Sequence, residues 1–253
     1  MLECIGLSLT LGGREILKDV SFRAEKGCVT VLTGKNGSGK TSLLRCLCGE
    51  LKYSGDVLLS HENIKNKKTR ELAKSIALLP QLLPRPAVPV SELVSYGRFP
   101  YLGLSGRPGE ADRAAVEAAA EAAGIAGMRD SLVSELSGGE RQLCYFAMVI
   151  AEDCPVVLLD EPTSNLDTVY TQKVLSLIRG MRDEGRTVVT VMHDLDEAVL
   201  LADRIVTVDG GRIVFDGAAR AFTESDIPEK VFFKKYTEVT DDGGNRFGVF
   251  RST

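Results

Sequence analysis

Gly34-Lys35-Asn36-Gly37-Ser38-Gly39-Lys40-Thr41 brings together the residue types that a bound polyphosphate needs. Its glycines let the backbone wrap phosphate oxygens with N–H groups turned inward, and the helix that follows adds positive potential at its N-terminus. In such a loop Lys40 meets the β- and γ-phosphates, and the Thr41 hydroxyl, with Ser42 beside it, is placed to bind Mg²⁺. The expected ligand is a nucleotide.

Further along, Val156-Val157-Leu158-Leu159 delivers two adjacent carboxylates, Asp160 and Glu161. Asp160 is expected to hold Mg²⁺ through water, and Glu161 to polarise an attacking water as general base. His193, one of only 2 histidines, directly follows the apolar run Thr187 to Met192, so it reaches the same sheet edge and can order the γ-phosphate and the water. Gln81 follows Ile76 to Leu79 and Pro80, where its amide can meet Mg²⁺ or the attacking water. His61, in a polar turn, reads as structural. Between these groups stands Leu136-Ser137-Gly138-Gly139-Glu140, a Ser-Gly-Gly helix start that offers a second surface for phosphate. Ser164-Asn165-Leu166-Asp167, just past Glu161, resembles a helix cap.

These groups need a scaffold that brings strand ends together. Val29 to Thr33, the glycine loop and Thr41 to Leu47 read as strand, loop and buried helix, the helix ending near Gly49. Leu2 to Leu9 and Val20 to Ala24 suggest antiparallel strands beside the core sheet. Further strands are expected at Ile76 to Leu79, Val156 to Leu159, Thr187 to Met192 and Ile205 to Val208, with helices at Thr168 to Arg182 and Asp196 to Leu201. That alternation means an α/β core with a largely parallel sheet. From Val90 to Ala151 strand signals vanish, and Glu110 to Ala123 is an alanine-rich helix ending at Gly124, so a helical unit is inserted here. Asp209-Gly210-Gly211 signals a hairpin with Ile213 to Phe215, and Asp241-Asp242-Gly243-Gly244 another before Phe247 to Phe250.

The bulk properties limit the alternatives. With 253 residues, 44% of them apolar, the chain can bury a sizeable core. A formal net charge of −4 with mixed signs gives no basic stripe, so no nucleic acid is expected. The basic knot Lys65, Lys67, Lys68 and Arg70 reads as a solvated loop. The 6 cysteines form no CxxC pairs and read as small core residues of a reducing compartment, and no signal peptide is evident. No apolar run reaches the ~18 residues of a membrane span.

Taken in order, these motifs resemble an ATP-binding cassette (ABC) ATPase over nearly the whole chain. The resemblance implies a P-loop NTPase fold with a RecA-like core, an antiparallel β subdomain and an inserted helical subdomain. On that pattern 1–80 and 152–223 form the core with the β subdomain, 81–151 the helical insert and 224–253 a small C-terminal extension. It implies roles as well: Gly34 to Thr41 as Walker A, Gln81 as Q-loop, Leu136 to Glu140 as signature, Val156 to Asp160 as Walker B, Glu161 as catalytic glutamate, Ser164 to Asp167 as D-loop and His193 as switch histidine. In the family the signature of one copy closes on the ATP of another, so Ser137, Gly138 and Gly139 are expected to bind the partner's nucleotide.

Two residues depart from the family's pattern. Leu11, beside Gly12-Gly13, stands where an aromatic residue usually stacks on adenine, and aliphatic contact forfeits about 1 kcal/mol. Leu11→Tyr is therefore expected to tighten ATP binding, as measured by equilibrium titration. Lys35 stands where proline is common and adds a cation near the phosphates.

With one cassette, no fused membrane segment and too short an interval from Lys40 to Ser137 for a coiled-coil arm, the chain resembles the separate ATPase subunits of bacterial importers. Val88 to Gly103, with its Gly97-Arg98-Phe99-Pro100 core, resembles the subgroup that drives uptake of ferric siderophores, haem and cobalamin, as do Glu110 to Gly124 and Met192 to Leu195. Asp196-Glu197 departs from that subgroup's asparagine-containing form. The resemblance implies as partners a second copy, an integral membrane permease and, indirectly, an extracytoplasmic binding protein, with the chain peripheral on the cytoplasmic face. Tyr96, Phe99 and Tyr101 would offer the permease an apolar platform.

Overall fold

The computed structural model describes residues 1–103, 106–240 and 246–252. Val29–Thr33 (β3) is a β-branched run in which every residue is buried, as a strand covered on both faces requires. It lies between Thr187–Val191 (β8) and Arg204–Asp209 (β9), parallel to both. Val156–Asp160 (β7) pairs in parallel with β8 and with Ile76–Leu79 (β6). Arg212–Ala218 (β10) closes the other edge antiparallel to β9, giving the order β10-β9-β3-β8-β7-β6.

A second sheet is wholly antiparallel: Arg14–Ala24 (β2), Leu2–Leu11 (β1), Ser54–Leu59 (β4) and Glu62–Asn63 (β5). Lys40–Leu47 (α1) is packed between this sheet and one face of the parallel sheet. Leu43, Leu44 and Cys46 share a core with Leu7, Leu17 and Val57 on one side and Leu158, Val189 and Val206 on the other. Helices cover the opposite face, where Phe146, Leu175 and Ile178 pack on Val29, Val157 and Val188.

Between β6 and β7 the described residues hold no strand. Val90–Ser95 (α3), a 3-10 turn over Tyr96–Tyr101, Glu110–Ala122 (α4) and Gly138–Glu152 (α5) form a helical layer, with Thr69–Leu72 (α2) just before β6. Arg98 ties this layer together. Its Nε donates to Asp112 on α4 at 3.1 Å, its Nη1 donates to the Ala151 carbonyl at 2.8 Å, and its guanidinium stacks 3.8 Å from the Tyr101 ring centre. The Arg98 and Asp112 side chains are only 11% and 16% exposed, and removing Arg98 leaves Asp112 with the Gly109 N–H at 2.9 Å but without its charged partner. Arg98→Ala is expected to cost about 2 kcal/mol, between the limits for surface and buried pairs. A thermal melt checks this: the midpoint should fall by about 5 °C.

The platform expected of Tyr96, Phe99 and Tyr101 therefore divides. Tyr101 turns inward and donates its hydroxyl to the Glu152 carbonyl at 2.8 Å. Tyr96, half-buried, stacks against Phe99 with centroids 4.9 Å apart, and only Phe99 is strongly exposed.

Cys4, Cys46, Cys144 and Cys154 are buried, and all six cysteines are free. In the basic knot Lys67 pairs with Glu62, while Arg70 reaches the Pro100 and Leu102 carbonyls and braces the 3-10 turn. After β10 come Ala219–Glu224 (α8), Ile227–Phe232 (α9) and an antiparallel ribbon of Lys234–Thr240 (β11) and Arg246–Ser252 (β12). The Asp241 to Gly244 turn lies outside the described residues.

Candidate functional site

The parallel strands all end at one edge, and the register brings those ends level. Leu79 lies opposite Leu159, and Asp160 opposite Val191. Open α/β sheets bind ligands at this edge. A cleft of about 690 Å³ opens there, lined by Lys40 and Thr41 from α1 and by Gln81, Glu161 and His193 from the loops after β6, β7 and β8.

The glycine loop takes its shape from close approach. Gly34 has φ +144°, and a Cβ there would lie 2.1 Å from the Val208 carbonyl oxygen, so no larger residue fits. Lys40 points back into the loop and donates to the Gly34 and Lys35 carbonyls at 2.7 and 2.9 Å. Burial lowers its ammonium pKa, with Glu161 and Asp160 opposing that shift. Asn36, Gly37, Gly39 and Ser42 also border the cleft. The Ser38 hydroxyl is buried without a partner, an orphaned donor beside the place a phosphate would occupy.

Asp160 is buried at the end of β7 and accepts a 3.2 Å hydrogen bond from the Thr41 hydroxyl. Burial raises its pKa, against the Thr41 bond. Two hard oxygen donors side by side suit Mg²⁺, which binds few protein ligands and keeps several waters.

Glu161 sits at φ +52°, a conformation that costs a non-glycine residue free energy and clusters at functional sites. This sharp bend holds its carboxylate between two partners. Gln81 Nε2 donates to Oε2 at 2.6 Å, and His193 Nε2 meets Oε1. The three residues, scattered in sequence, meet because their strands are neighbours.

Other expected site residues lie elsewhere. Ser137 caps α5: its hydroxyl donates to Glu140 Oε2 at 2.7 Å and accepts from the Glu140 N–H at 3.3 Å. Gly138 is exposed with open space around it. At Gly139 a Cβ would fall 2.4 Å from the Tyr170 ring, so that glycine is required by packing as well. Asp167 caps Thr168–Asp183 (α6), accepting from the Tyr170 N–H at 2.9 Å. None of these four lines the cleft of its own chain.

Leu11 is 43% exposed at the end of β1, opposite Arg14, and the cleft wall nearby is formed by Arg14 and Ile16 of β2. The alternation of β2 could have identified Ile16, because Leu17 is fully buried and its neighbour must face the other way. Lys35 also stands apart. Its ammonium lies 5.0 Å from the Phe233 ring centre and does not line the cleft.

The sequence model of the family described as ABC transporter matches residues 17–164, which run from β2 through the signature and β7 to Ser164. The chain belongs to the ABC transporter family. It is 35% identical to the iron(3+)-hydroxamate import ATP-binding protein FhuC of Bacillus subtilis, over 95% of this chain and 90% of that one. It is 37% identical to the hemin import ATP-binding protein HmuV of Rhizobium etli, covering 86% of this cassette and 85% of its relative. Among solved structures, a metal-chelate type ABC transporter in an inward-facing conformation superposes with a TM-score of 0.86. It is 25% identical, over 99% of this cassette and 96% of that chain.

Proposed function

We propose that this cassette is the ATP-hydrolysing subunit of an importer, driving uptake of an iron complex, ferric siderophore or haem, or of cobalamin through a separate permease. The observation that carries the chemistry is Glu161 held between Gln81 and His193 at the same strand edge as Lys40, Thr41 and Asp160. The cargo class rests on relatives that import hydroxamate iron and hemin.

In this reading Lys40 leaves the Gly34 and Lys35 carbonyls for the β- and γ-phosphates, and the loop N–H groups with the Ser38 hydroxyl fix the triphosphate. Thr41 and Asp160 hold Mg²⁺, which when bound neutralises charge on the phosphate oxygens. Glu161 exchanges its hydrogen bonds to Gln81 and His193 for one to the attacking water and takes its proton. Gln81 and His193 orient that water in line with the γ-phosphate, and as its oxygen bonds to the γ-phosphorus the bond from that phosphorus to the bridging oxygen breaks, leaving ADP and phosphate. Ser137 and Gly139 of a second copy complete the site. Closure of the two copies moves the permease, and phosphate release reopens them. Phe99, 57% exposed, and Leu82, 84% exposed, are two of the exposed apolar side chains and would meet a permease segment that holds the chain at the cytoplasmic membrane surface.

The test is purification from membranes followed by reconstitution. An integral permease should co-purify and raise ATP turnover, and uptake assays with ferric siderophore, haem and cobalamin should show one transported class. Recovery of ribosomal or DNA-associated partners instead would overturn the importer reading.

A further inference from the structure

Two contacts, one from the C-terminal ribbon and one from the residue that leads into it, reach the two halves of the hydrolytic site. The first is Phe233, immediately before β11. Its ring lies under the Lys35 ammonium, at a distance where a cation–π attraction operates. The Lys35 carbonyl in turn accepts from Lys40 Nζ at 2.9 Å, so the ring anchors the loop residue that holds the phosphate-binding lysine.

The second contact is made by β12, whose Phe250 N–H donates to Asp196 Oδ1 at 2.9 Å. Asp196 lies in the first turn of Leu195–Leu201 (α7). The N-cap of that helix is Asp194, the residue directly after His193, and its carboxylate accepts from the Asp196 and Glu197 N–H groups at 2.8 and 3.0 Å. Glu197 also accepts from the Thr163 hydroxyl at 2.7 Å, which fastens the same turn to the segment leaving Glu161. The first turn of α7 thus joins His193, the Glu161 loop and the ribbon.

The ribbon is itself well anchored. Phe250 is buried against Tyr236 at 5.1 Å and Phe222 at 6.1 Å, and Phe222 packs on Phe215 of β10 and Phe232 of α9. The Phe250 contact therefore leads into a packed body, and Phe233, itself 63% exposed, joins that body through the chain, directly after Phe232.

We infer that the C-terminal ribbon positions the ATPase site, holding the phosphate loop through Phe233 and Lys35 and the His193 turn through Phe250 and Asp196. This rests on the ATPase reading above. The two contacts act on different steps. Phe233 and Lys35 set how well the loop receives the triphosphate, and Asp196 sets how well His193 is held once ATP is bound.

The test uses the full-length chain, with ATP affinity measured by equilibrium titration and kcat and KM by phosphate release. Phe233→Leu and Lys35→Met should each weaken ATP binding about threefold. The double variant should be no worse than the weaker single, because both changes remove one contact. Losses that multiply to about tenfold would overturn this half, since Lys35 would then act on phosphate independently of the ring. Asp196→Ala should lower kcat about fivefold with KM unmoved. Asp196→Asn, which keeps the acceptor for Phe250, should restore it. An Asn variant as slow as the Ala variant, or an Ala variant at full kcat, would overturn the other half. A parent chain that does not hydrolyse ATP would refute the ATPase reading itself; an active parent with indifferent variants would refute only the ribbon's role.

Discussion

Glu161→Gln is expected to lower ATP turnover by about 10²-fold or more while leaving ATP affinity within a few-fold of the parent. The substitution keeps the size of the side chain and its capacity to hydrogen-bond Gln81 and His193. It removes the negative oxygen that takes the proton of the attacking water. Affinity is preserved because Lys40, Thr41 and the glycine loop, which grip the triphosphate, are untouched. Phosphate-release kinetics measure the first quantity and equilibrium titration the second. Turnover near the parent's would remove Glu161 from its role as general base.

Ser137→Arg is expected to abolish cooperative ATP turnover yet leave ATP binding to the isolated chain unchanged. Ser137, Gly138 and Gly139 lie outside the cleft of their own chain. The Ser137 N–H and hydroxyl are held by Glu140 and Gly139 is buried, so exposed Gly138 marks the face of this helix start that another copy's nucleotide would meet. A bulky guanidinium at position 137 blocks that approach. It also removes the cap hydroxyl of α5, a loss of about 1 kcal/mol. Ser137→Asp separates the two effects. Aspartate keeps an acceptor for the Glu140 N–H, although it gives up the hydroxyl's donation to Glu140 Oε2, and its carboxylate would face the partner's phosphates. Turnover lost in both variants with normal melting of the aspartate form assigns the loss to closure. Retained cooperative turnover in both would refute a shared site.

The catalytic edge was legible in the sequence because each of its strands is a short buried run that ends in a polar residue. Val156 to Leu159 predicts Asp160 and Glu161 at a strand end, and Thr187 to Met192 predicts His193 beside them. Neighbouring strands then bring Gln81, Glu161 and His193 into contact without any signal from their spacing. The strand β4 escaped notice because Ser54-Gly55-Asp56 has little strand propensity and its partner β1 is distant in sequence. Short α8 and α9 carry too few turns for a periodic pattern.

Position 98 shows a different limit. A glycine-arginine-aromatic-proline segment looks like a surface motif, yet Arg98 is consumed by Asp112, Ala151 and Tyr101. The contacts of Lys35 with Phe233 and of Asp196 with Phe250 span most of the chain or join its last strand to an earlier helix. No local pattern announces pairs of that kind.

The central claim is that ATP is held between two copies, gripped by the glycine loop of one and by Ser137 and Gly139 of the other. Size exclusion with light scattering tests it on Glu161→Gln, in which slow hydrolysis keeps ATP in place. The account predicts a dimer mass with ATP, a monomer mass without it, and a monomer under both conditions once Ser137→Arg is added. A double variant that still dimerises with ATP as readily as Glu161→Gln alone would contradict it.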